Sequence, residues 1–134
     1  MLTTLAVVRS KKLSEYVRKN RLPKHVNIKR IDATQLVRLV EEGKFLADRK
    51  LCEKTVKKVL SKPFSESNVD VAILSSTHLP FLLPFLKKQF PNITFVDPAK
   101  EVSQKIRKIV GKNSSKKNTI KIFTSDNPKK FSIR

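Results

Sequence analysis

The chain has 134 residues, 39% of them hydrophobic, and its 30 Lys and Arg against 11 Asp and Glu leave a formal charge of +19. That length suits one domain with a real core and disfavours a two-domain enzyme with a cleft between domains. Recurrent Val, Ile and Leu spacing excludes a wholly disordered basic tail.

In chain order, LTTLAVV (Leu2 to Val8) is rich in β-branched and apolar residues and reads as a buried strand that Arg9 ends. Ser10 is placed to cap a helix whose inner stripe is Leu13, Tyr16 and Val17, and Pro23 closes this unit. HVNIKRI alternates as a second strand near a sheet edge, with Arg30 spoiling the inward face. Thr34 precedes a short helix through Leu36, Val37, Leu39 and Val40 that stops at Gly43. A further helix is expected from Asp48 to about Leu60, with Leu51, Cys52, Thr55, Val56 and Val59 inward, so Cys52 belongs to the core.

KPFSESN reads as a loop, and VDVAIL as a strand buried on both faces. Pro80 and Pro84 bracket the first turn of a helix reaching Lys88 or Gln89. NITFVDP supplies a fourth strand, Glu101 to Val110 a helix that Gly111 ends, and TIKIF a short last strand after a basic loop. Strands alternating with helices specify an α/β fold, a three-layer sandwich with a mostly parallel sheet of about four to five strands. The whole of 1–134 is expected to form a single domain, with the basic loop and terminal strand at 111–134.

Cys52 is the only cysteine, so no intramolecular disulfide forms, and neither a metal site nor a cofactor is expected. The opening MLTTLAVVRS has no cationic leader and no stretch reaches the length of a membrane span, so the expected location is cytoplasmic, without membrane contact.

The charge is spread along the chain: 17 basic and 7 acidic residues through position 67 and 13 and 4 beyond it, or +10 and +9. A polyanion relieves such self-repulsion. Nine basic residues against one acid fall between Arg9 and Arg30. Of these, Arg9, Lys11, Lys12, Arg18, Lys19, Arg21, Lys24, Lys29 and Arg30 form a first candidate phosphate-tracking patch. Lys112, Lys116, Lys117, Lys121, Lys129 and Lys130 form a second, in loops suited to the grooves of a folded RNA. Tyr16 and Phe123 are assigned to core stripes, so shape and backbone recognition is favoured over base stacking. The expected polyanion is structured RNA, such as rRNA on a ribosomal particle. A solvated basic face is the bland alternative.

In open α/β sheets ligands bind beyond the carboxyl ends of the strands, which singles out LSSTHLPF at the end of VDVAIL. The hydroxyls of Ser76 and Thr77 suit a carboxylate or phosphate, and an imidazole such as that of His78 exchanges protons near neutral pH. The structural alternative is that Ser and Thr cap the next helix while His78 packs.

ILSSTHLPFLLPFLKKQFPNITFVDPAKEV resembles the segment of the aspartate/glutamate racemase family that holds its second catalytic cysteine, typically Gly-Cys-Thr-His-Tyr-Pro followed by a helix, a strand and an Asp-Pro or Asp-Ser sequence. Thr77, His78, Pro80, Asp97, Ala99 and Glu101 stand at the matching positions. DATQLVRLVEEGKF resembles the family's Ala-Cys-Pro region followed by Leu-Val-Glu-Glu-Gly, and IKIFTSDNPKKF its terminal Thr-Gly-Asp-Pro-Glu-Phe. The likeness covers the family's second half only.

The resemblance implies a racemase-like α/β half and cofactor-free amino-acid racemisation, but Ser76 occupies the cysteine position. A serine hydroxyl does not ionise in the range where a thiol, at roughly 8.5, does. Ser75 replaces Gly, Leu79 replaces Tyr, and LAVVRS places Arg9 where the family has a small Gly-Thr strand end. The expectation is therefore a catalytically degenerate, glutamate-racemase-like domain, a pseudoenzyme that binds structured RNA and is ribosome-associated. One alternative is a glutamate or aspartate racemase, or half of one, that needs a partner chain supplying the missing half. A second is a small-carboxylate-binding domain at Ser76, Thr77 and His78.

Overall fold

The computed structural model describes residues 1–20, 22–23, 25–111 and 123. The expected strand TIKIF and the basic loop before it lie outside the described residues, apart from Phe123. Among the described residues there are four short strands: β1 (Leu2–Thr3), β2 (Ile31–Asp32), β3 (Val71–Ile73) and β4 (Thr94–Val96). They form two parallel pairs, β1 with β2 and β3 with β4. A parallel bridge between Leu2 and Leu74 joins the pairs, so the order across the molecule is β2-β1-β3-β4. The fold is α/β with parallel strands, as expected, although each sheet has only two strands.

The first strand is shorter than LTTLAVV suggests, because helix α1 takes Leu5–Val8. Beyond Thr3 no described neighbour continues: β2 ends at Asp32, and on the other side the pairing ends where Ser75 N–H donates to the Leu2 carbonyl at 2.9 Å. An extended chain here would leave its amides unpaired. Coiling pairs them locally, with the Thr4 carbonyl accepting from Val7 and Val8, and the Thr34 hydroxyl accepts the Leu5 N–H at 3.0 Å. HVNIKRI is corrected in the same way. Only Ile31 and Asp32 lie opposite β1, and residues 25–30 run outside the ladder.

Helix α2 (Lys11–Lys19) forms where expected, with Ser10 at its N-cap but without a side-chain cap bond, and it buries none of its residues. Tyr16, assigned to a core stripe, is 66% exposed, and Phe123 is exposed too. Helix α3 (Thr34–Glu41) buries Leu36, Val37 and Leu39. Gly43 follows at φ +69°, a left-handed stop that favours glycine. A short helix α4 (Lys44–Ala47) leads to α5 (Arg49–Glu66), whose N-terminus is capped by the Asp48 carboxylate accepting the Leu51 N–H at 2.9 Å.

KPFSESN is not a loop, since α5 runs through Pro63 to Glu66. Proline removes one helical hydrogen bond, and burial of Phe64 offsets that loss: its ring meets Phe90 edge-on at 5.0 Å and lies 6.4 Å from Phe95. Cys52, Val56 and Leu60 fill the same inner stripe, whereas Leu51 lies at its edge, 37% exposed. Burial pushes the Cys52 thiol up, reinforced by the Asp48 carboxylate.

A 3-10 turn (Leu79–Leu82) and α6 (Leu83–Gln89) follow β3, and α7 (Ala99–Val110) follows β4. The core lies on one face of the strands, where α3, α5, α6 and the 3-10 turn pack together over Leu2, Ala72 and Leu74. VDVAIL is thus buried on one face only. Ala72 and Leu74 point into the core, while Val71 and Ile73 are 45% and 40% exposed because no described element closes over them. No described helix is long and apolar enough to cross a membrane.

Leu60 is fully buried, so Leu60→Ala is expected to cost about 2–5 kcal/mol and Asp48→Ala about 1 kcal/mol. Both are read from the urea midpoint at unchanged slope.

Candidate functional site

The bridge at Leu2 makes β1 and β3 neighbours, although the chain leaves β1 toward β2 and β3 toward β4, in opposite directions. A crevice opens at the carboxyl ends of strands where the connections diverge in this way. Thr3 and Thr4 stand at the end of β1 and Ser75 to His78 at the end of β3. The small strand end is therefore the Thr pair. Arg9, expected there, instead caps α1 on the surface. Thr3 is fully buried, and its hydroxyl has no hydrogen-bond partner among the described residues.

The turn Ser75–His78 is pinned at both ends by Ser75 N–H on the Leu2 carbonyl and by Leu79 N–H on the Ser76 carbonyl at 3.2 Å. Leu79 is fully buried beneath it, so this residue anchors the turn in the core. Ser76 Oγ lies 3.3 Å from His78 Nδ1 and accepts the His78 backbone N–H at 3.4 Å. On the other side of the ring, His78 Nε2 is 3.8 Å from Glu41 Oε1. A hydroxyl, an imidazole and a carboxylate thus stand in line, with both ring nitrogens facing a polar partner. Thr77 is exposed.

Sequence reasoning missed Glu41. Its signal was the Leu-Val-Glu-Glu-Gly likeness, and the Gly43 stop ends α3 with this carboxylate beside the turn. Asp97, another matched position, accepts the Ala99 N–H at 3.0 Å and opens α7. Asp32 does the same for Thr34, at 2.9 Å. Among the described residues no three His, Cys, Asp or Glu side chains group as metal ligands would.

The described residues include part of the first expected cationic patch. Lys11, Lys12, Arg18 and Lys19 are exposed on α2, and Arg9 and Lys29 are exposed as well. Arg30 is half-buried, and its guanidinium donates to the Val8 and Ser10 carbonyls at 3.2 and 3.4 Å, which ties α1 to the approach of β2. Arg21, Lys24, Lys112, Lys116, Lys117, Lys121, Lys129 and Lys130 lie outside the described residues. A lysine group that sequence reasoning did not single out, Lys50, Lys54, Lys57 and Lys88, lines an open groove of about 530 Å³ between α5 and α6. In that groove Lys88 Nζ is 2.7 Å from Glu53 Oε1.

Three relatives decide the family likeness. Glutamate racemase of Persephonella marina is 37% identical over 97 residues, covering 71% of this chain and 35% of that protein. Glutamate racemase 1 of Caldanaerobacter subterraneus subsp. tengcongensis is 35% identical over 81 residues, 60% of this chain and 29% of that protein. Glutamate racemase of Deinococcus radiodurans is 29% identical over 113 residues, 84% and 38%. The chain is glutamate racemase-like. It spans about a third of the length of these relatives, and comparison with sequence models of known families yields no match.

The hydrogen bond and charge of Lys88 hold the Glu53 carboxyl below its ordinary value. A depressed carboxyl stabilises the fold above its unfolded pKa of about 4.3, and that contribution is lost as pH falls through the folded value. Lys88→Ala is expected to move the Glu53 titration back up, followed by NMR of the side-chain carboxyl carbon.

Proposed function

We propose that the chain is one lobe of a glutamate racemase-like protein. It binds the carboxylate of a small acidic amino acid such as glutamate at the Ser75–His78 turn, and a second lobe must complete the racemisation site. The observation that carries this reading is the polar line Ser76–His78–Glu41 beyond the carboxyl end of β3 in a chain whose relatives are glutamate racemases.

Inverting an α-carbon requires one group to take its proton from one face and another to deliver a proton to the opposite face. This chain offers one face. The hydroxyls of Ser75, Ser76 and Thr77 can donate to a carboxylate, and His78, with Nδ1 3.3 Å from Ser76 Oγ and Nε2 3.8 Å from Glu41, is the group placed to pass a proton. Ser76 itself is no base in the thiolate sense. The chain alone therefore binds without racemising.

The test is calorimetric titration of the full chain with L- and D-glutamate, alongside NMR of α-proton exchange in D₂O. Saturable binding is expected, weakened by about tenfold or more in Ser76→Ala and His78→Ala, with no exchange by the unsubstituted chain. Ser76→Cys is expected to introduce exchange at the α-carbon. Absence of saturable binding by a chain whose circular dichroism shows it folded would remove this reading.

A second reading, structured-RNA binding on a ribosomal particle, is favoured by the charge of +19 and by the four lysines gathered along α5 and α6. It predicts co-sedimentation with ribosomal particles from the same cells and affinity for folded RNA that falls on the order of tenfold or more as salt rises. Lys50→Ala with Lys54→Ala is expected to flatten that salt slope. Complete absence from the particles at low salt would exclude it.

A further inference from the structure

Helix α7 carries Val102, Ile106, Ile109 and Val110 on one side, at spacings of four, three and one. They are 53%, 54%, 76% and 60% exposed, α7 buries none of its twelve residues, and no described element packs closely along it. An amphipathic helix of this length is stabilised by covering its apolar stripe more than by its own propensity. The strand before it adds to the same need. Val96 on β4, with Val71 and Ile73 on β3, forms the open face of the sheet. Lys105 and Arg107 border the stripe on its two sides, and Glu101 is the one acidic residue in the helix.

Two occupants fit poorly. A phosphate backbone gains from the bordering cations but offers nothing to a Val and Ile stripe. A second copy of the chain brings the same +19 to the interface, and like charge opposes that pairing.

We infer that the apolar stripe of α7 is a docking surface for another polypeptide segment whose own apolar strip is edged by Asp and Glu. Charge complementarity sets the rim, and the stripe sets the core of the contact. The inference stands on α7 and does not require glutamate to bind at Ser76, so the two can fail separately.

The experiment uses the full chain and a fluorescein-labelled helical peptide with Leu at i, i+3, i+4 and i+7 and Glu at the flanking positions. Its controls are a scrambled peptide of equal composition and polyglutamate of equal length, all read by anisotropy in 0.15 and 0.5 M salt. Saturable binding is expected, tighter than either control by about tenfold or more and lost in Ile106→Asp with Ile109→Asp. The milder pair Val102→Ser and Val110→Ser should weaken it with unchanged circular dichroism. Equal binding of the controls would reduce the effect to bulk charge and overturn the inference, as would unchanged binding by a folded double variant. A dimer in sedimentation equilibrium that Ile106→Asp and Ile109→Asp dissociate would assign the stripe to a second copy. Binding of tRNA, but not of the peptide, that these substitutions abolish would assign it to RNA. Either outcome overturns the inference.

Discussion

At Leu2 the two small sheets meet. Its side chain is fully buried, it lies opposite Ile31 on one side and bridges Leu74 on the other, and its carbonyl accepts the Ser75 N–H. The two pairs are joined directly by this residue, so the position of the Ser75–His78 turn relative to Thr3 and Thr4 follows from it. Strands of two and three residues carry few ladder bonds of their own. Their alignment depends on the helices packed behind them, above all the long inner stripe of α5 from Cys52 to Phe64.

That packing is one-sided, and the consequences reach the site and the surface together. On the covered face, α3 ends at Gly43 with Glu41 beside the turn, while Leu79 anchors the turn from below, so the Ser76–His78–Glu41 line is set by residues whose main work is in the core. On the other face, no described element covers Val71, Ile73 and Val96 or packs along the stripe of α7. A chain of charge +19 with apolar surface left over meets water awkwardly in two ways, through self-repulsion and through exposed hydrocarbon. A partner with carboxylates around an apolar strip relieves both, whereas a polyanion relieves only the first.

The chemistry of the turn separates binding from catalysis. Ser76 places a small hydroxyl next to His78, a group that can donate to a carboxylate but lacks the acidity of a thiol, and the proposed division between binding and racemisation rests on that difference. Arg9 is the exposed C-cap of the helix at Leu5–Val8 and does not itself end the strand. Arg30 links α1 to the strand beside it through two carbonyls. In this setting a residue counted among phosphate-binding cations acts as a structural donor.

Local pattern determined much of this protein by itself. The spacing of Leu36, Val37 and Leu39, the stop at Gly43, the inward Cys52 and Val56, the prolines opening the turn before α6, and the Gly111 stop all act through near neighbours, and each element formed where its residues called for it. The likeness of STHLP and VDP to glutamate racemases was also legible, because it rests on residue identity and spacing. Tertiary structure alone decided the rest. LAVV coils because no described strand continues beside it, KPFSE stays helical because Phe64 finds Phe90, Val71 and Ile73 are exposed because no described element covers that face, and Glu41 comes within 3.8 Å of His78 across 37 positions. Each of these depends on which groups are left without a partner once the chain is packed, a property of neighbours distant in sequence that no short window contains.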